Sequence, residues 1–385
     1  MKPGRATSRV RLMFVTNALN AGGAEQFIAL HLANIDRSRF DVSVAMLHAP
    51  AGASIEDQVR ELDVPIFDLR EGRRPDPRVA ARLALLLRRE RVNLLQSHVA
   101  YSNVIARFAA RLTGVPLVTT EQTTAGNLGR RGLDRVTRLT LPLSTGAAFI
   151  SEGVKASFVT GRERFLPRHM RVIPNGIDIG AVQRAVLDKR AACALLGISP
   201  DPVIIGCAGR LVPVKGHTYL LRAFRKLAPD LGCTLPDARL VLLGGGALEQ
   251  PLREEAASLG ISDRVVFAGH RPDVHKLLGA FDVFAMPSLQ EGLGLAALEA
   301  AAAGVPIVAS RTGGLPEIIE HDVTGLLVPP TDVDALALAL GRLLRDPEIG
   351  RRMVEKGKAH VQKFAIESAV AAYDDLYSLC LGEKA

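Results

Sequence analysis

Short apolar runs bounded by turn residues alternate with stretches of helical spacing along the first half of the chain. The apolar runs predict strands at 11–16, 40–47, 64–68, 92–97, 116–120, 145–151 and 170–174. Apolar residues that recur at helical spacing predict helices between the strands, most clearly at 25–34, 79–90 and 104–112. Strands that alternate with helices in this way favour a parallel sheet with helices on both faces.

The same alternation restarts in the second half of the chain. It predicts strands at 203–208, 239–243, 265–268, 283–286, 307–309 and 325–328, and helices at 219–228, 248–259, 274–280, 295–303, 316–320 and 335–344. The predicted fold is therefore α/β, with two doubly wound, Rossmann-like domains at 1–185 and 186–385. Ligands of such sheets bind beyond the carboxyl ends of the strands, so we expect a site in a cleft between the domains. Whether the last helix, at about 365–381, packs on the first domain is left open by the sequence.

Length and composition agree with two globular domains. The chain has 385 residues, of which 48% are hydrophobic and only 4% are aromatic. No apolar stretch approaches the roughly 20 residues that a membrane-spanning helix needs. We therefore expect a cytoplasmic protein, either soluble or peripheral on the inner face of a membrane. The cysteines at 193, 207, 233 and 380 show no metal-ligand spacing and are expected to be buried, reduced thiols.

Positive charge is concentrated in the first half. Residues 1–185 carry 27 Lys and Arg against 16 Asp and Glu, whereas the remainder carries 21 against 24. The clustered arginines are Arg73, Arg74, Arg78, Arg82, Arg88, Arg89, Arg91, Arg130, Arg131, Arg135, Arg138, Arg162, Arg164 and Arg168. A solvated helix face explains any one cluster, but the one-sided charge also suits an anionic membrane surface, a diphosphate-lipid or an acidic polymer. Nucleic acid is not expected, because the clusters lack interleaved aromatic residues.

Glycines and cations follow two of the predicted strands. Gly22 and Gly23 lie between the first strand and the first helix, where N–H groups at a helix start can bind an anion. A plain tight turn explains them equally well. Arg210 and Lys215, each beside a glycine, follow the first strand of the second domain. Together they can neutralise a diphosphate. Surface charges would explain an isolated arginine and lysine, but the position of this pair after a strand end favours a binding site.

A pair of glutamates gives the strongest local signal. Glu291 follows the strand at 283–286, and Glu299 lies about two turns further along the next helix. The N–H groups of 292–295 open that helix and can bind phosphate, while the Glu299 carboxylate can accept hydrogen bonds from two ribose hydroxyls. An ordinary amphipathic helix is the alternative. Asp332 and Asp334 form an Asp-x-Asp motif just before a helix, which indicates a helix cap and not a metal site.

Further short motifs accompany these features in one order along the chain. The motifs are Gly22-Gly23-Ala24, His98 after a strand, Ser151-Glu-Gly-Val-Lys155, Ile173-Pro-Asn175-Gly176-Ile-Asp178, Gly209-Arg210…Lys215-Gly216, Gly244-Gly245-Gly246, Pro287-Ser288…Glu291-x7-Glu299, Gly313-Gly314-Leu-Pro-Glu317 and Thr324-Gly325-Leu-Leu-Val328. The ordered set spans nearly the whole chain and resembles the retaining glycosyltransferases of family 4, which have a GT-B fold. The resemblance implies transfer of a sugar from a nucleoside-diphosphate sugar to an acceptor hydroxyl, without a metal or other cofactor.

The resemblance also implies roles for single residues. His98, Arg210, Lys215 and Glu291 would be the catalytic group: the two cations on the donor diphosphate, Glu291 on the hydroxyls of the transferred sugar, and His98 beside the reacting centre. The other donor-binding residues would be Gly22, Gly23, Gly209, Arg271, Gly292, Leu293, Gly294, Leu295 and Glu299, with Glu299 on the ribose and the His270-Arg271 loop beside the base. Glu121 stands where many family members carry a histidine or glutamate near the acceptor, and its role is left open.

The family retains the anomeric configuration, which implies a front-face displacement in which the leaving phosphate helps to deprotonate the acceptor. No carboxylate pair of the retaining-hydrolase kind can be identified. Two alternatives stay open: a sugar-nucleotide epimerase of similar fold, and a non-catalytic nucleotide-sugar-binding scaffold. The base, the sugar and the acceptor are undetermined, and the basic first domain favours a lipid-linked or surface-polysaccharide acceptor of the cell envelope.

Overall fold

The computed structural model describes residues 9–20, 22–50, 52–69, 76, 78–124, 131–161, 166–227 and 238–383. The chain divides into two compact units, one formed by Met1–Gly176 with Ile366–Ala385 and the other by Ile177–Ala365. Each unit is built on one parallel sheet, which confirms the predicted α/β class. Among the residues singled out in the sequence, Arg73, Arg74, Arg130, Arg162, Arg164 and Cys233 lie outside the described ranges.

Seven strands form the sheet of the first unit, in the order β3-β2-β1-β4-β5-β6-β7. They are β1 (Val10–Thr16), β2 (Phe40–Met46), β3 (Ile66–Asp68), β4 (Leu94–His98), β5 (Leu117–Glu121), β6 (Gly146–Phe149) and β7 (His169–Val172). Leu12 of β1 pairs with Val42 of β2 on one side and with Leu94 of β4 on the other. Helices cover both faces of these central strands, which explains why they read as continuous apolar runs.

Six strands form the sheet of the second unit, in the order β10-β9-β8-β11-β12-β13. They are β8 (Ile204–Ala208), β9 (Arg239–Leu243), β10 (Val265–Phe267), β11 (Val283–Met286), β12 (Ile307–Ser310) and β13 (Leu326–Val328). The chain winds outward from β8 through β9 and then returns to the other side of β8 at β11. This reversal of strand order is the place where doubly wound sheets bind ligands.

Helices connect the strands in both units. They are α1 (Gly23–Asn34), α2 (Glu56–Arg60), α3 (Arg78–Arg89), α4 (Ala100–Thr113), α5 (Arg131–Thr140), α6 (Glu152–Val159), α7 (Ile179–Ala185), α8 (Lys189–Leu196), α9 (His217–Arg225), α10 (Glu249–Ser258), α11 (Val274–Leu277), α12 (Leu295–Ala302), α13 (Leu315–Ile318), α14 (Val333–Arg345), α15 (Pro347–Val361) and α16 (Ile366–Leu381). Short 3₁₀ turns occur at Leu141–Leu143, Pro213–Lys215, Ser262–Arg264, Leu278–Ala280 and Gln362–Phe364.

The structure places the division between the units after Gly176, nine residues before the predicted boundary at 185. It also assigns α16 to the first unit, although that helix comes last in the chain. The buried residues Tyr373 and Leu376 belong to the core of the first sheet, and the Tyr373 hydroxyl lies 2.8 Å from Thr120 Oγ1 of β5. The alternation of strands and helices in the sequence shows where a new sheet begins. It does not show which of the two sheets the last helix packs against.

Three cysteines, Cys193, Cys207 and Cys380, are free and buried, as the sequence predicts for them. Burial raises the pKa of the Cys207 thiol and of the Cys380 thiol to about 12. None of the helices within the described residues combines the length and the apolar character of a membrane-spanning segment.

Candidate active site

The loops after four neighbouring strands of the second sheet carry most of the predicted donor residues. Arg210 and Lys215 follow β8, Gly244 follows β9, Glu291 follows β11 and Gly313 follows β12. The carboxyl ends of parallel strands meet at one edge of a sheet, so the fold brings these distant sequence segments together.

Lys215 and Glu291 form an ion pair at this edge. Lys215 Nζ donates to Glu291 Oε1 at 2.5 Å, and the hydroxyl of the buried Ser288 donates to the same oxygen at 2.7 Å. The Glu291 side chain is 9% exposed and that of Lys215 is 22% exposed. Two donors therefore hold the carboxylate in place, with the cation half-buried beside it.

Two glycines permit the loops to pack this closely. Gly216 has a φ of +69°, and a Cβ atom there would lie 2.1 Å from the Pro287 carbonyl oxygen. Gly313 has a φ of +55°, and a Cβ atom would lie 1.8 Å from the Glu291 carbonyl oxygen. Any side chain at either position would clash with backbone and strain the chain. The separation of Lys215 from Glu291 is thus fixed by backbone contacts on both sides.

The first turn of α12 adjoins Glu291. Gly292 O accepts a hydrogen bond from Gly314 N at 3.1 Å, and the Leu293 side chain is buried in the core. N–H groups in the first turn of a helix have no acceptor within that helix. Helix α12 begins at Leu295 with Gly294 as its N-cap, so Gly292 and Leu293 lie in the loop between Glu291 and the helix. Binding of a donor phosphate by the backbone of Gly292, Leu293, Gly294 and Leu295 stays a prediction.

Arg210 and Arg271 line one cavity of about 420 Å³ together with Gly209, Gly244 and His270. Arg210 is exposed. Arg271 is held by two hydrogen bonds of 2.7 Å to Asp273, and its Nη1 donates to Leu195 O at 3.2 Å. The hydrogen bond to Asp273 raises the pKa of Arg271. Two arginines thus line the cavity, and the predicted place of Arg271 beside a base stays a prediction.

Glu299, on α12, accepts a hydrogen bond from His275 Nε2 at 3.2 Å. This hydrogen bond raises the pKa of His275 above 6.5. The predicted ribose ligand therefore has a titratable partner, which the sequence did not indicate because His275 lies on the short helix α11, distant in sequence.

Replacing His275 with asparagine is expected to change how stability depends on pH. The protonated imidazole stabilises the fold fully below its unfolded pKa of 6.5, and this contribution is lost as pH rises through the raised folded pKa. The wild-type chain should lose stability relative to His275→Asn as pH rises from about 6 to 9, by less than about 1 kcal/mol because the pair is part-exposed. Urea denaturation at several pH values measures this, and parallel pH profiles for the two chains would contradict it.

Two buried groups close to Lys215, the His217 ring and the Cys207 thiol, were not predicted as site residues from the sequence. His217 begins α9, is 2% exposed, and has a pKa lowered to about 4 by burial and by the charge of Lys215. The charges of Lys215 and Glu291 both act on the thiol of Cys207, the penultimate residue of β8. The sequence contained one clue to His217, its position two residues after Lys215 at a helix start.

Asp332 caps α14, because its carboxylate accepts from Ala335 N at 2.9 Å. This confirms the predicted capping role of the Asp-x-Asp motif. Across the described residues, no group of three or more His, Cys, Asp or Glu side chains could hold a metal ion. Independence from metals stays a prediction.

The glycine loop of the first unit lies between β1 and α1. Gly22 is the N-cap of α1, and its carbonyl accepts from Gln26 N at 2.8 Å. A Cβ atom at Gly22 would lie 2.5 Å from Glu25 Oε2, so a carboxylate covers this glycine. Gly23 is exposed. Contact of either glycine with a donor phosphate stays a prediction.

His98 ends β4 and is fully buried in the first unit. Its ring stacks on Phe14 with centroids 5.9 Å apart, and Nε2 lies 3.2 Å from Gln96 Nε2. Burial and the nearby His31 lower the pKa of His98 to about 3, so the ring is neutral at physiological pH. The structure therefore places His98 in an aromatic cluster and not on a surface, and its role at the reacting centre stays a prediction.

Glu121 ends β5 and is 2% exposed. Arg107 Nη2 donates to its Oε1 at 2.5 Å, and Asn103 Nδ2 donates to the same atom at 3.1 Å. Arg107 is itself fully buried and also donates to Ser144 Oγ at 3.0 Å. Burial lowers the pKa of Arg107, and the Glu121 carboxylate opposes that shift. In this structure Glu121 is the partner of a buried arginine, a contact that the sequence did not indicate.

Two family descriptions match the chain. Residues 21–180 match "Glycosyltransferase Family 4", and residues 189–360 match "Glycosyl transferases group 1". The matched ranges include every predicted site residue, from Gly22 to Glu299.

Individual proteins are similar over most of the chain. The D-inositol 3-phosphate glycosyltransferase of Saccharomonospora viridis is 32% identical over 305 residues, which cover 74% of this chain and 69% of that protein. The UDP-Gal:alpha-D-GlcNAc-diphosphoundecaprenol alpha-1,3-galactosyltransferase of Escherichia coli is 25% identical over 379 residues, which cover 96% and 97%. The crystal structure of Anabaena Alr3699/HepE with UDP and glucose has a TM-score of 0.81 and 21% identity, and covers 96% of this chain and 100% of that one. This last likeness concerns the fold, and it confirms the predicted GT-B architecture.

Proposed function

Because the chain belongs to the group 1 glycosyltransferases with a GT-B fold, we propose that it transfers a sugar from a nucleoside-diphosphate sugar to an acceptor hydroxyl with retention of configuration. The donor class is supported by the E. coli relative, which uses UDP-Gal. The proposal assigns the donor to the second unit, in the loops that follow β8, β9, β11 and β12.

The ion pair between Lys215 and Glu291 carries this proposal. In a sugar nucleotide the anomeric carbon is bonded to an oxygen of the distal phosphate. A cation for that phosphate and a carboxylate for the sugar hydroxyls must therefore lie within a few ångströms of each other. Lys215 Nζ and Glu291 Oε1 are 2.5 Å apart, with the first turn of α12 adjoining them.

The reaction we propose is a front-face displacement. The bond between the anomeric carbon and the phosphate oxygen breaks, and the acceptor oxygen bonds to the same carbon from the same face. The acceptor proton passes to the leaving phosphate oxygen, which therefore serves as the base. Because the acceptor oxygen bonds to the anomeric carbon directly, no carboxylate nucleophile is needed. Arg210 and Lys215 stabilise the charge that develops on the leaving diphosphate, as preorganised cations do in other active sites. No metal ion is needed in this scheme.

A lipid-linked sugar or a growing surface polysaccharide is the acceptor that we propose. The E. coli relative uses a sugar on diphosphoundecaprenol, an anionic lipid, as its acceptor. The excess of positive charge in residues 1–185 suits such a substrate. The enzyme would then act at the cytoplasmic face of the membrane, as a peripheral protein.

A ligand screen with product analysis tests the proposal. We expect one of UDP, GDP or ADP to raise the thermal midpoint, because a ligand at a hundred times its Kd stabilises the native state by about 2.7 kcal/mol. The selected nucleotide's sugars are then incubated with acceptors, with and without EDTA, and the anomeric configuration of the product is read by NMR. An inverted product would refute the mechanism, loss of activity with EDTA would refute metal independence, and the absence of stabilisation by every nucleotide would refute the donor site.

A further inference from the structure

Three neighbouring helices of the first unit expose large apolar side chains. Helix α4 packs against α3 on one side and α5 on the other. The exposed apolar residues of this region are Leu85 on α3, Phe108 and Leu112 on α4, Val136 and Leu139 on α5, and Leu143 in the following 3₁₀ turn. Arg88 Nη2 of α3 donates to Leu112 O at 2.9 Å, which holds the ends of α3 and α4 together. We call the outer surface of these three helices the α3–α5 face.

Helical spacing aligns the apolar residues with arginines on each helix. Arg111 and Leu112 lie three and four positions after Phe108, so all three share one side of α4. The opposite side of α4, which includes Ala106 and Ala110, is already buried in the core of the unit. The outward apolar residues therefore leave a large part of their side chains outside the packing of this unit.

The same alignment recurs on the flanking helices. Arg135 precedes Val136 and Leu139 on the exposed side of α5, and Leu85 lies one turn before the exposed Arg88 on α3. Each of the three helices thus presents apolar side chains and a guanidinium together.

Acidic side chains are scarce on the α3–α5 face. Among the described side chains of α3, α4 and α5, none of the exposed ones is a carboxylate, and Asp134 of α5 is half-buried. Arg89 is paired with the half-buried Glu90 at 2.8 Å. Arg88, Arg111 and Arg135 are exposed and give the face a positive charge.

We propose that the α3–α5 face docks on an anionic lipid bilayer. Phe108, Leu112 and Leu139 enter the boundary between headgroups and acyl chains, and Arg111 and Arg135 bind lipid phosphates. Clustered apolar side chains with cations around them are the pattern of surfaces that bind anionic membranes. The positive charge selects a negatively charged bilayer over a neutral one. This docking site deepens the proposed action on a lipid-linked acceptor and rests on it for its biological purpose.

Vesicle co-sedimentation with the full chain tests the docking site. The wild-type protein should sediment with vesicles of phosphatidylglycerol and phosphatidylcholine, much less with phosphatidylcholine alone, and less at high salt. The double variants Phe108→Gln/Leu112→Gln and Arg111→Glu/Arg135→Glu should each weaken binding about tenfold or more. All four side chains are exposed, so circular dichroism and the thermal midpoint should stay at wild-type values.

Matched controls come from exposed residues of the second unit. Leu195→Gln/Leu338→Gln removes exposed apolar residues and Arg352→Glu/Lys356→Glu reverses exposed charges, and both should leave vesicle binding unchanged. Equal binding by all variants would overturn the proposal. So would a wild-type dimer that dissociates on Phe108→Gln/Leu112→Gln in light scattering, since the face would then bind a second copy.

A separate readout distinguishes this proposal from the proposed function. Stabilisation by UDP, GDP or ADP depends on the second unit and should be the same in the docking variants and the wild type. Vesicle binding without any nucleotide effect would keep the docking face and reject the donor site. Stabilisation by a nucleotide without binding to anionic vesicles would keep the donor site and reject the docking face.

Discussion

Replacing Lys215 with alanine should lower kcat by about a hundredfold or more while the chain stays folded. In the proposed reaction the ammonium stabilises negative charge on the leaving diphosphate, an interaction that grows in the transition state. A hundredfold loss corresponds to about 2.7 kcal/mol of activation free energy. Folding should persist because Ser288 still donates to Glu291 Oε1 after the lysine is gone.

Turnover is measured with the sugar nucleotide that the ligand screen selects. Lys226→Ala is the matched control, because Lys226 is an exposed lysine of the same unit whose ammonium pairs with Asp334. That variant should keep wild-type turnover. A folded Lys215→Ala enzyme with unchanged kcat would remove Lys215 from the mechanism. An unfolded variant would contradict the expected persistence of the fold, and the role of Lys215 would then be tested with Lys215→Gln.

Removing either partner of the Arg107–Glu121 pair should destabilise the first unit by about 3–5 kcal/mol. Both side chains are almost fully buried, with 0% and 2% exposure. Arg107→Leu therefore leaves a buried carboxylate without its charged partner, and Glu121→Leu leaves a buried guanidinium without its own. The double variant should lose much less than the sum of the two single losses, because no lone buried charge remains.

Urea unfolding followed by near-ultraviolet circular dichroism measures this effect. The chain has four tyrosines and no tryptophan, and Tyr101, Tyr373 and Tyr377 belong to the first unit. The signal therefore reports mainly on that unit. Single variants within about 1 kcal/mol of wild type would show that water reaches the pair, and would favour an acceptor role for Glu121 over a structural one.

Local pattern was sufficient to predict the strands of both sheets, because each buried parallel strand is a short apolar run between turn residues. It was insufficient for several helices. In α5, Thr137 and Thr140 supply the buried side while the apolar Val136 and Leu139 are exposed, so the apolar residues do not mark the side that packs on the core. Helices α7 and α8 do carry a signal in the sequence. Asp178 and Asp188 cap them by accepting from the N–H groups of Ala181 and Ala191, and an aspartate at such a position is typical of a helix start.

The order of the motifs along the chain predicted which residues lie at the carboxyl ends of the strands. It did not predict which side chains these residues contact. Lys215 and Glu291 are 76 positions apart, and their contact depends on the close approach of two loops at Gly216 and Gly313. The burial of His98 and the Arg107–Glu121 pair follow from packing between strands and helices that lie far apart in sequence. Such contacts are properties of the fold and not of any sequence window.

The last helix has a consequence for the order in which the protein is made. Ile177 N donates to Phe364 O at 3.0 Å, so the segments that enter and leave the second unit lie side by side, and that unit is an insertion within the first. A ribosome completes the inserted unit before α16 emerges. Until then the core of the seven-stranded sheet lacks Tyr373, Leu376 and Tyr377, so the apolar side chains that pack on them stay exposed. The first unit, whose sheet is synthesised first, thus finishes folding after the second unit.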